Sequence, residues 1–577
     1  MAIAPTICGV LAAVCANLTT GCTASWHAAD ADREVHTLLA DYEDRVLGDR
    51  QDWVRYPDPQ VEAPPTDGGG ADVDSVTSRS VGDGKSVIGT SQDSDDRDSP
   101  TKVGIEGSET EPGAVSAAAA EPMLLDLPTA LSIAFTSSRR FKDREEALYL
   151  RGLGFTLTRY NFGPILNSTV SYLWTNVEDG INDDSAGLTF GASQVLHTGG
   201  DLSVSSALNT SRADDPNLFD VHQSVLFNSS IQVNLRQPLL RGAGYEASHA
   251  SLTQGERDLI YEIRAFELFR QDFSIEVAGD YYRLVSQQRR LANDERNYLD
   301  AIFDREKAEA LRQVDRNQDD DVFLAQRREI DADDALLVAR TDYQLALDNF
   351  KILLGLPTAS AIDIVADEPE FRPVRVDPDS TVQVAYHNRL DLHTARDRLE
   401  DTERRVRLAK NALLPDWDVT IDYRFDSDTD RALRKATPEH WTTTLGVDFE
   451  IPVNRKAERN AYRSAQIGLE RARRDYARLL DEVRRDILDQ VRELAQLEKR
   501  IRLQTDKMAQ DEKAVAVTQI RYEAGDADNR DLLDARQGLI DAQNSLIALK
   551  VQHFTARLRL LRNTGVMFVN VNGMWQE

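Results

Sequence analysis

Cysteine is nearly absent from this chain: Cys8, Cys15 and Cys22 are the only three in 577 residues. Everything after residue 22 can therefore form no disulfide, thiolate metal site or redox dithiol. Basic charge is also scarce, with 68 Lys and Arg against 97 Asp and Glu, a formal net charge of −29. Nucleic-acid binding needs a basic face that displaces counterions, so DNA and RNA partners are excluded. Beyond Cys22 no run of about 18 apolar residues occurs, the length that a membrane-spanning helix requires. Motifs of catalysis are missing too. The nine histidines are scattered without ligand spacing or a nucleophile partner. Gly152 and Gly154 lack the third glycine and the preceding strand of a dinucleotide loop. Asp426 to Asp430 begins like a calcium loop, but Arg431 takes the glycine place and Thr437 the bidentate glutamate place. No catalytic site, cofactor or metal is expected.

What is present divides the chain. Residues 1–21 read as a signal peptide: Met1 to Thr20 carry no charge, and the apolar stretch Ile7 to Leu18 is too short to span a bilayer. That stretch runs into Thr19, Thr20, Gly21 and Cys22, which resembles a bacterial lipobox, although Thr19 stands where leucine is preferred. Cys22 is the lipidation candidate. An N-terminal helical segment (22–56) follows, then an acidic linker (57–122) rich in Gly, Ser, Asp and Pro. Such a composition cannot bury enough apolar surface to order itself.

From about residue 123 the chain repeats. Pro164 and Tyr172 return as Pro415 and Tyr423, and the segment Asp321 to Gly355 returns as Asp531 to Gly565. This gives repeat 1 (123–357), an equatorial linker (358–377), repeat 2 (378–566) and a C-terminal tail (567–577). Within each copy two periods alternate. Leu445, Val447, Phe449 and Ile451 alternate with polar residues, as do Val419, Ile421, Tyr423 and Phe425, and Ile231, Val233 and Leu235, the pattern of strands with one apolar face. Repeat 1 carries 37 extra residues here, with alternating stretches at Leu188 to Leu196 and Leu202 to Leu208 joined by a turn-like His197 to Gly200. These predict either an extended hairpin or an additional one.

Elsewhere the period is seven: Leu480, Ile487, Leu494, Ile501, Met508, Val515 and Tyr522, with Tyr476, Val483 and Leu497 on a second seam. Helices are predicted at about Pro128 to Asn161, Glu246 to Val314 and Asp321 to Leu354, and again at Asp379 to Leu414, Asn454 to Ala524 and Asn529 to Asn563. In each copy the two shorter helices sum to the long one, on the order of 105 Å. Two half-length helices can thus line one full-length partner.

This plan resembles the TolC-like family of outer-membrane efflux proteins over about Leu124 to Val566. Further likenesses are Arg236 to Leu240 leaving the strands, Leu353 to Pro357 closing repeat 1, and Arg521 to Gly525 followed by Asp531 to Ala535. The resemblance implies a mainly α fold with a membrane β-barrel: long coiled-coil helices forming a periplasmic α-barrel, and strand hairpins of three chains sharing one outer-membrane barrel. It implies a homotrimeric channel of a tripartite efflux or type I secretion system, with a periplasmic adaptor, an inner-membrane pump (RND or ABC type) and outer-membrane lipid as partners. Asp531, Asp534 and Asp321 become candidates for an anionic periplasmic gate, and Gly525, Asp526 and Arg521 for the adaptor-contacting tip. Tyr172, Trp174, Trp417, Tyr423 and Trp441 are candidates for aromatic belts. The alternative is a periplasmic coiled-coil scaffold or adaptor that does not insert; alternating strands between full-length helices in both copies weigh against it.

Overall fold

A computed structural model describes residues 24–48, 123–175, 182–214, 225–313, 319–427, 439–451, 453–524, 526–527 and 529–576. The chain falls into two units, and the second, residues 57–122, lies outside the described residues.

The first unit opens with α1 (Ala24–Leu47), β1 (Met123–Leu125), α2 (Leu127–Ser137) and α3 (Arg139–Asn161). Four strands follow, β2 (Ile165–Thr175), β3 (Asn182–Val195), β4 (Asp201–Asp214) and β5 (Val225–Pro238). The short α4 (Tyr245–Ser248), the long α5 (Ala250–Gln313) and α6 (Asp319–Leu354) complete the first repeat. Then come β6 (Ile362–Ile364), α7 (Pro378–Asn388), α8 (Leu390–Asn411), β7 (Asp416–Asp426), β8 (His440–Glu450), α9 (Lys456–Ala524) and α10 (Asn529–Asn563). A terminal pair, β9 (Phe568–Val569) and β10 (Trp575–Gln576), closes the chain.

The helical lengths match as the repeat requires. Helices α7, α8 and α10, of 11, 22 and 35 residues, pack along α9, which has 69. The five buried side chains of α9, Val483, Ile487, Leu494, Leu497 and Ile501, all belong to the heptad seams. A one-sided stripe on a helix this long is stable only against other helices.

Each pre-strand helix differs from its expectation in being two helices. The breaks fall at Ser138 and Arg389, whose backbones are extended (ψ 125° and 121°). Neither position carries a helix-breaking residue, and the cause lies elsewhere in the chain. Gly355 and Gly565 end α6 and α10 with φ of +80° and +73°. In both, the next amide reaches back five residues (Leu356 N to Lys351 O, 2.8 Å; Val566 N to Leu561 O, 3.1 Å), the Schellman arrangement that favours glycine. Each glycine lies flat against a break: a Cβ on Gly355 would come within 2.1 Å of the Ser137 carbonyl, and one on Gly565 within 2.7 Å of Asn388. The half helices therefore meet through one backbone junction used twice. Caps repeat too, Asp126 accepting from Thr129 N and Asp377 from Ser380 N, each at 2.9 Å.

Two further departures concern short segments. The linker holds β6, which pairs in parallel with β1 and buries Leu125, Ile362 and Ile364. The residues read as a tail form a hairpin seated on α5: Arg270 donates to the carbonyls of Val569 and Asn570, Gln271 to Met567 and Ser274 to Gly573. Buried polar side chains in α5 are thereby satisfied by backbone acceptors. The N-terminal helix α1 lies along α3, running in the same direction, because Asp32 meets Tyr149, Val35 meets Gly152 and Tyr42 meets Phe155.

Gly355→Ala and Gly565→Ala should each destabilise the fold strongly, combining a positive φ with a backbone clash, by about 2 kcal/mol or more. Gly468→Ala, mid-helix with nothing within 4 Å of the added carbon, should be neutral or slightly stabilising. Thermal unfolding followed by circular dichroism separates the two cases.

Candidate functional site

The six long strands form one antiparallel meander in the order β2, β3, β4, β5, β7, β8. The 37 extra residues of repeat 1 are thus an additional hairpin, β3 and β4, joined at Leu196 to Gly200 (Leu196 N to Gly200 O, 2.7 Å). Strands of 11 or 14 residues match or exceed the 9–11 that cross a bilayer when tilted.

Register decides which side chains share a face. Val170 pairs with Leu188, Leu188 with Leu208, Val204 with Val233, Val233 with Tyr423 and Ile421 with Leu445. Alternation carries this apolar row across all six strands without interruption. Its opposite face bears Asn167, Thr189, Ser205, Gln232, Asp422 and Thr444, with Asp422 accepting from Gln232 at 2.6 Å and Arg236 bonded to Asp418 at 2.5 Å. The apolar face is uncovered: Leu166 is 77% exposed and Leu445 69%. Water-exposed apolar area of this continuity marks an interaction surface.

All five aromatic candidates lie on that face. Tyr172 and Trp174 sit at the end of β2 far from the helices; Tyr423 and Trp441 stack at 6.3 Å at the same end of the second hairpin. Trp417 sits at the helix-proximal end against Phe449, 6.0 Å away and edge-on. From Trp417 to Phe425 the strand advances about 27 Å, or about 20 Å along the normal at a tilt near 40°. That nearly matches the apolar band of a membrane barrel.

The helix tips hold the other candidates. Asp531 and Asp534 are exposed on one face of α10 while Leu532 and Leu533 between them are buried. Asp321 lies in the first turn of α6 beside Asp319 and Asp320, where carboxylates suit the positive end of the helix dipole. Arg521 is engaged in its own turn, its guanidinium donating to the Asp526 carbonyl at 3.2 Å while Asp526 N donates to Arg521 O. Gly525 and Cys22 lie outside the described residues.

The groups that tie the tip together carry no motif in the sequence. Arg536 on α10 lies 3.5 Å from Asp304 on α5 and donates to Gln519 on α9; Arg328 on α6 donates to the Leu533 carbonyl; Lys307 sits over the Tyr522 ring at 4.3 Å. Burial pushes the Asp304 carboxyl above its usual range, opposed by Arg536 and Arg328. Burial likewise holds the Arg328 guanidinium below its ordinary value. The readable signal was Asp304 itself, a charge standing between Ala301 and Ala308 on the buried stripe of α5.

At the sheet–helix junction, Gly244 N donates to Thr198 O at 2.8 Å and the His197 ring stacks on His249 at 5.0 Å, beside Tyr245. Burial, with His197 adding to it, lowers the affinity of His249 for protons. Among the described residues no helix is long and apolar enough to cross a membrane, and no metal-ligand cluster occurs.

The chain thus carries an antiparallel sheet with one bare apolar face between paired long helices in two repeats. Residues 381–566 match the outer membrane efflux protein family. Three solved structures are similar in fold. VceC of Vibrio cholerae has a TM-score of 0.57 at 16% identity, covering 76% of this chain and 96% of that one. The CmeC outer membrane channel of Campylobacter jejuni has 0.57 at 13%, covering 78% and 86%. The open-state MtrE outer membrane channel of Neisseria gonorrhoeae has 0.54 at 13%, covering 76% and 89%. A comparison with curated proteins by sequence finds no match.

Arg536→Ala should leave Asp304 buried beside fewer positive groups and loosen the tip by up to about 3 kcal/mol. Amide hydrogen exchange should accelerate in the first turns of α10 and not in the α9 seam. His249 gives a pH prediction. Its folded-state proton affinity is lowered, so below pH ~6.5 the unfolded chain takes up a proton that the folded chain refuses. Stability should fall as pH drops through that window, and His249→Phe should reduce the fall in melting temperature between pH 7.5 and 5.5. Some should persist, because buried His553 is shifted the same way, by desolvation.

Proposed function

We propose that this protein is a passive outer-membrane exit duct: a homotrimer whose sheets share one barrel and whose helices form a periplasmic tube. The carrying observation is the unbroken apolar face over six hydrogen-bonded strands of bilayer length. In hydrocarbon only a helix or a closed barrel satisfies every backbone group, and six strands fall short of the eight of the smallest barrels. Other copies must supply the rest. VceC, CmeC and MtrE, with this fold, support the outer-membrane location.

Substrates would enter at the helix tips, delivered by an adaptor and an inner-membrane pump of RND or ABC type as in efflux or type I secretion. The tip near Arg521, Gly525 and Asp526 is where an adaptor would dock. Asp531 and Asp534, brought together by three-fold symmetry with Asp321 nearby, would make an anionic constriction that draws in cations. Tyr172, Trp174, Trp417, Tyr423 and Trp441 would anchor the barrel at the two interfaces. Lipidation of Cys22 is part of the proposal with one structural condition: α1 enters its seat on α3 from the end away from the sheet, so a lipid in the same membrane would require α1 to leave that seat.

Purified protein reconstituted in planar bilayers should conduct as a trimer. Asp531→Asn combined with Asp534→Asn should lower cation-over-anion permeability several-fold and weaken block by polyvalent cations. Recovery of native protein as a soluble, non-inserting monomer would overturn the proposal.

A further inference from the structure

The second hairpin of repeat 1 changes the size of the exit. Were both repeats built like the second, each chain would bring four strands and three chains twelve. Each chain instead offers six in one continuous ladder. We infer that the assembled barrel has eighteen strands and an exit much wider than two single hairpins per chain would give; the inference rests on the trimeric reading above.

Three observations place β3 and β4 in the wall. Their ladder is unbroken, fourteen paired positions from Asn182 with Asp214 to Val195 with Asp201, and each also pairs along its other neighbour, β3 with β2 from Ile165 to Thr175 and β4 with β5 from Asp201 to Arg212. Their alternation keeps the phase of the shared apolar face, with Leu188 and Phe190 on β3 and Leu202, Val204 and Leu208 on β4. A one-residue slip would turn every one of these to the polar side, so the phase is specified. Third, the inner turn has a built seat. Twelve positions separate Pro238 from the start of α5, against four between Pro452 and the start of α9, and the added segment cradles the turn. Gly242 and Gly244 have φ of +81° and +88°, a Cβ on Gly199 would approach the Gly242 carbonyl to 2.5 Å, and Thr198 and Gln237 bond each other through side chain and backbone. A plug or an external flap would need none of this.

The edges suit closure. With an even number of strands in a meander, β8 runs opposite to β2, so β8 of one copy can pair antiparallel with β2 of the next. Both present unpaired backbone groups that a membrane does not tolerate. At a strand spacing of 4.8 Å and a tilt near 40°, eighteen strands give a backbone diameter of about 36 Å and twelve about 24 Å. The inserted stretch of lumen is lined by small uncharged side chains, Ser185, Thr189, Ser193, Ser203, Ser205 and Asn209. Among the described side chains of β3 and β4 on this face Asp201, opposite Arg236 at the inner end, is the one charge, and the other carboxylates and guanidiniums stand on β5, β7 and β8, among them Arg236, Asp418, Asp422 and Arg424. The cargo class that such an exit fits is bulky hydrated solutes, which the widened bore would not filter by size and the largely uncharged inserted stretch would not bind.

Electron cryomicroscopy of the full chain in lipid nanodiscs tests this directly. The expected image is a three-fold particle with eighteen strands and a backbone diameter near 36 Å. A three-fold particle with a twelve-stranded wall and β3–β4 inside or outside it overturns the inference while leaving the channel reading intact. A particle with no barrel overturns both. As a second measurement, a chain lacking residues 182–214 should exclude from the external mouth polyethylene glycols that enter the native barrel. Equal exclusion limits in two inserting proteins would contradict the inference.

Discussion

The bare edges of a sheet whose face is apolar set the terms for this molecule. Strands β2 and β8 each end the ladder with a row of amides and carbonyls that have no partner strand among the described residues, next to a surface bearing Leu166, Tyr172, Leu445 and Val447. In water the apolar face is costly; in lipid the open edges are. Only association that closes the edges while lipid covers the face relieves both at once. On the trimeric reading proposed above, assembly and insertion are one event and trimerisation is part of folding.

The helices serve that sheet. Each repeat sends one long helix away from the strands and returns in two pieces, and the pieces meet at an exact backbone fit in which Gly355 or Gly565 lies against a break in the preceding helix. Using the same joint twice keeps both strand segments at one end and both tips at the other. Around the first joint the C-terminal hairpin fills space against Phe135, Arg270 and Ser274, so that repeat 1 is more heavily supported than repeat 2. The asymmetry matches the extra strand pair that repeat 1 holds.

Much of this was legible in the sequence, for definite reasons. A stripe such as Leu480 to Tyr522 recurs at every seventh residue over six heptads, and an alternating run such as Val419 to Phe425 fixes the face of every residue in it. The seven-fold stripe and the two-fold alternation thus gave helices and strands with little ambiguity, and His197 to Gly200 marked the additional hairpin. The breaks at Ser138 and Arg389 were hidden because their cause is a glycine more than 170 residues away, not the local residues. The terminal hairpin was hidden because two-residue strands carry no period. At the tips the exposed acids Asp531 and Asp534 could be found by likeness to the family. The clamp of Arg536, Asp304 and Arg328 could not, because apart from Asp304 on the buried stripe of α5 its members are ordinary alone, and only packing brings the three helices' charges together.

The central claim is that the apolar face of the six-stranded sheet meets lipid hydrocarbon. Tryptophan emission in vesicles whose acyl chains carry bromine reads that contact directly, since bromine quenches only rings that touch it. Trp174 and Trp441 are 61% and 65% exposed on that face in the single chain, and Trp417, on the same face at its helix-proximal end, is 40% exposed. Emission should be strongly quenched in brominated vesicles, and the quenching largely lost when these three are replaced by phenylalanine. Equal emission in brominated and plain vesicles, from protein shown to be folded and vesicle-bound, would contradict the claim.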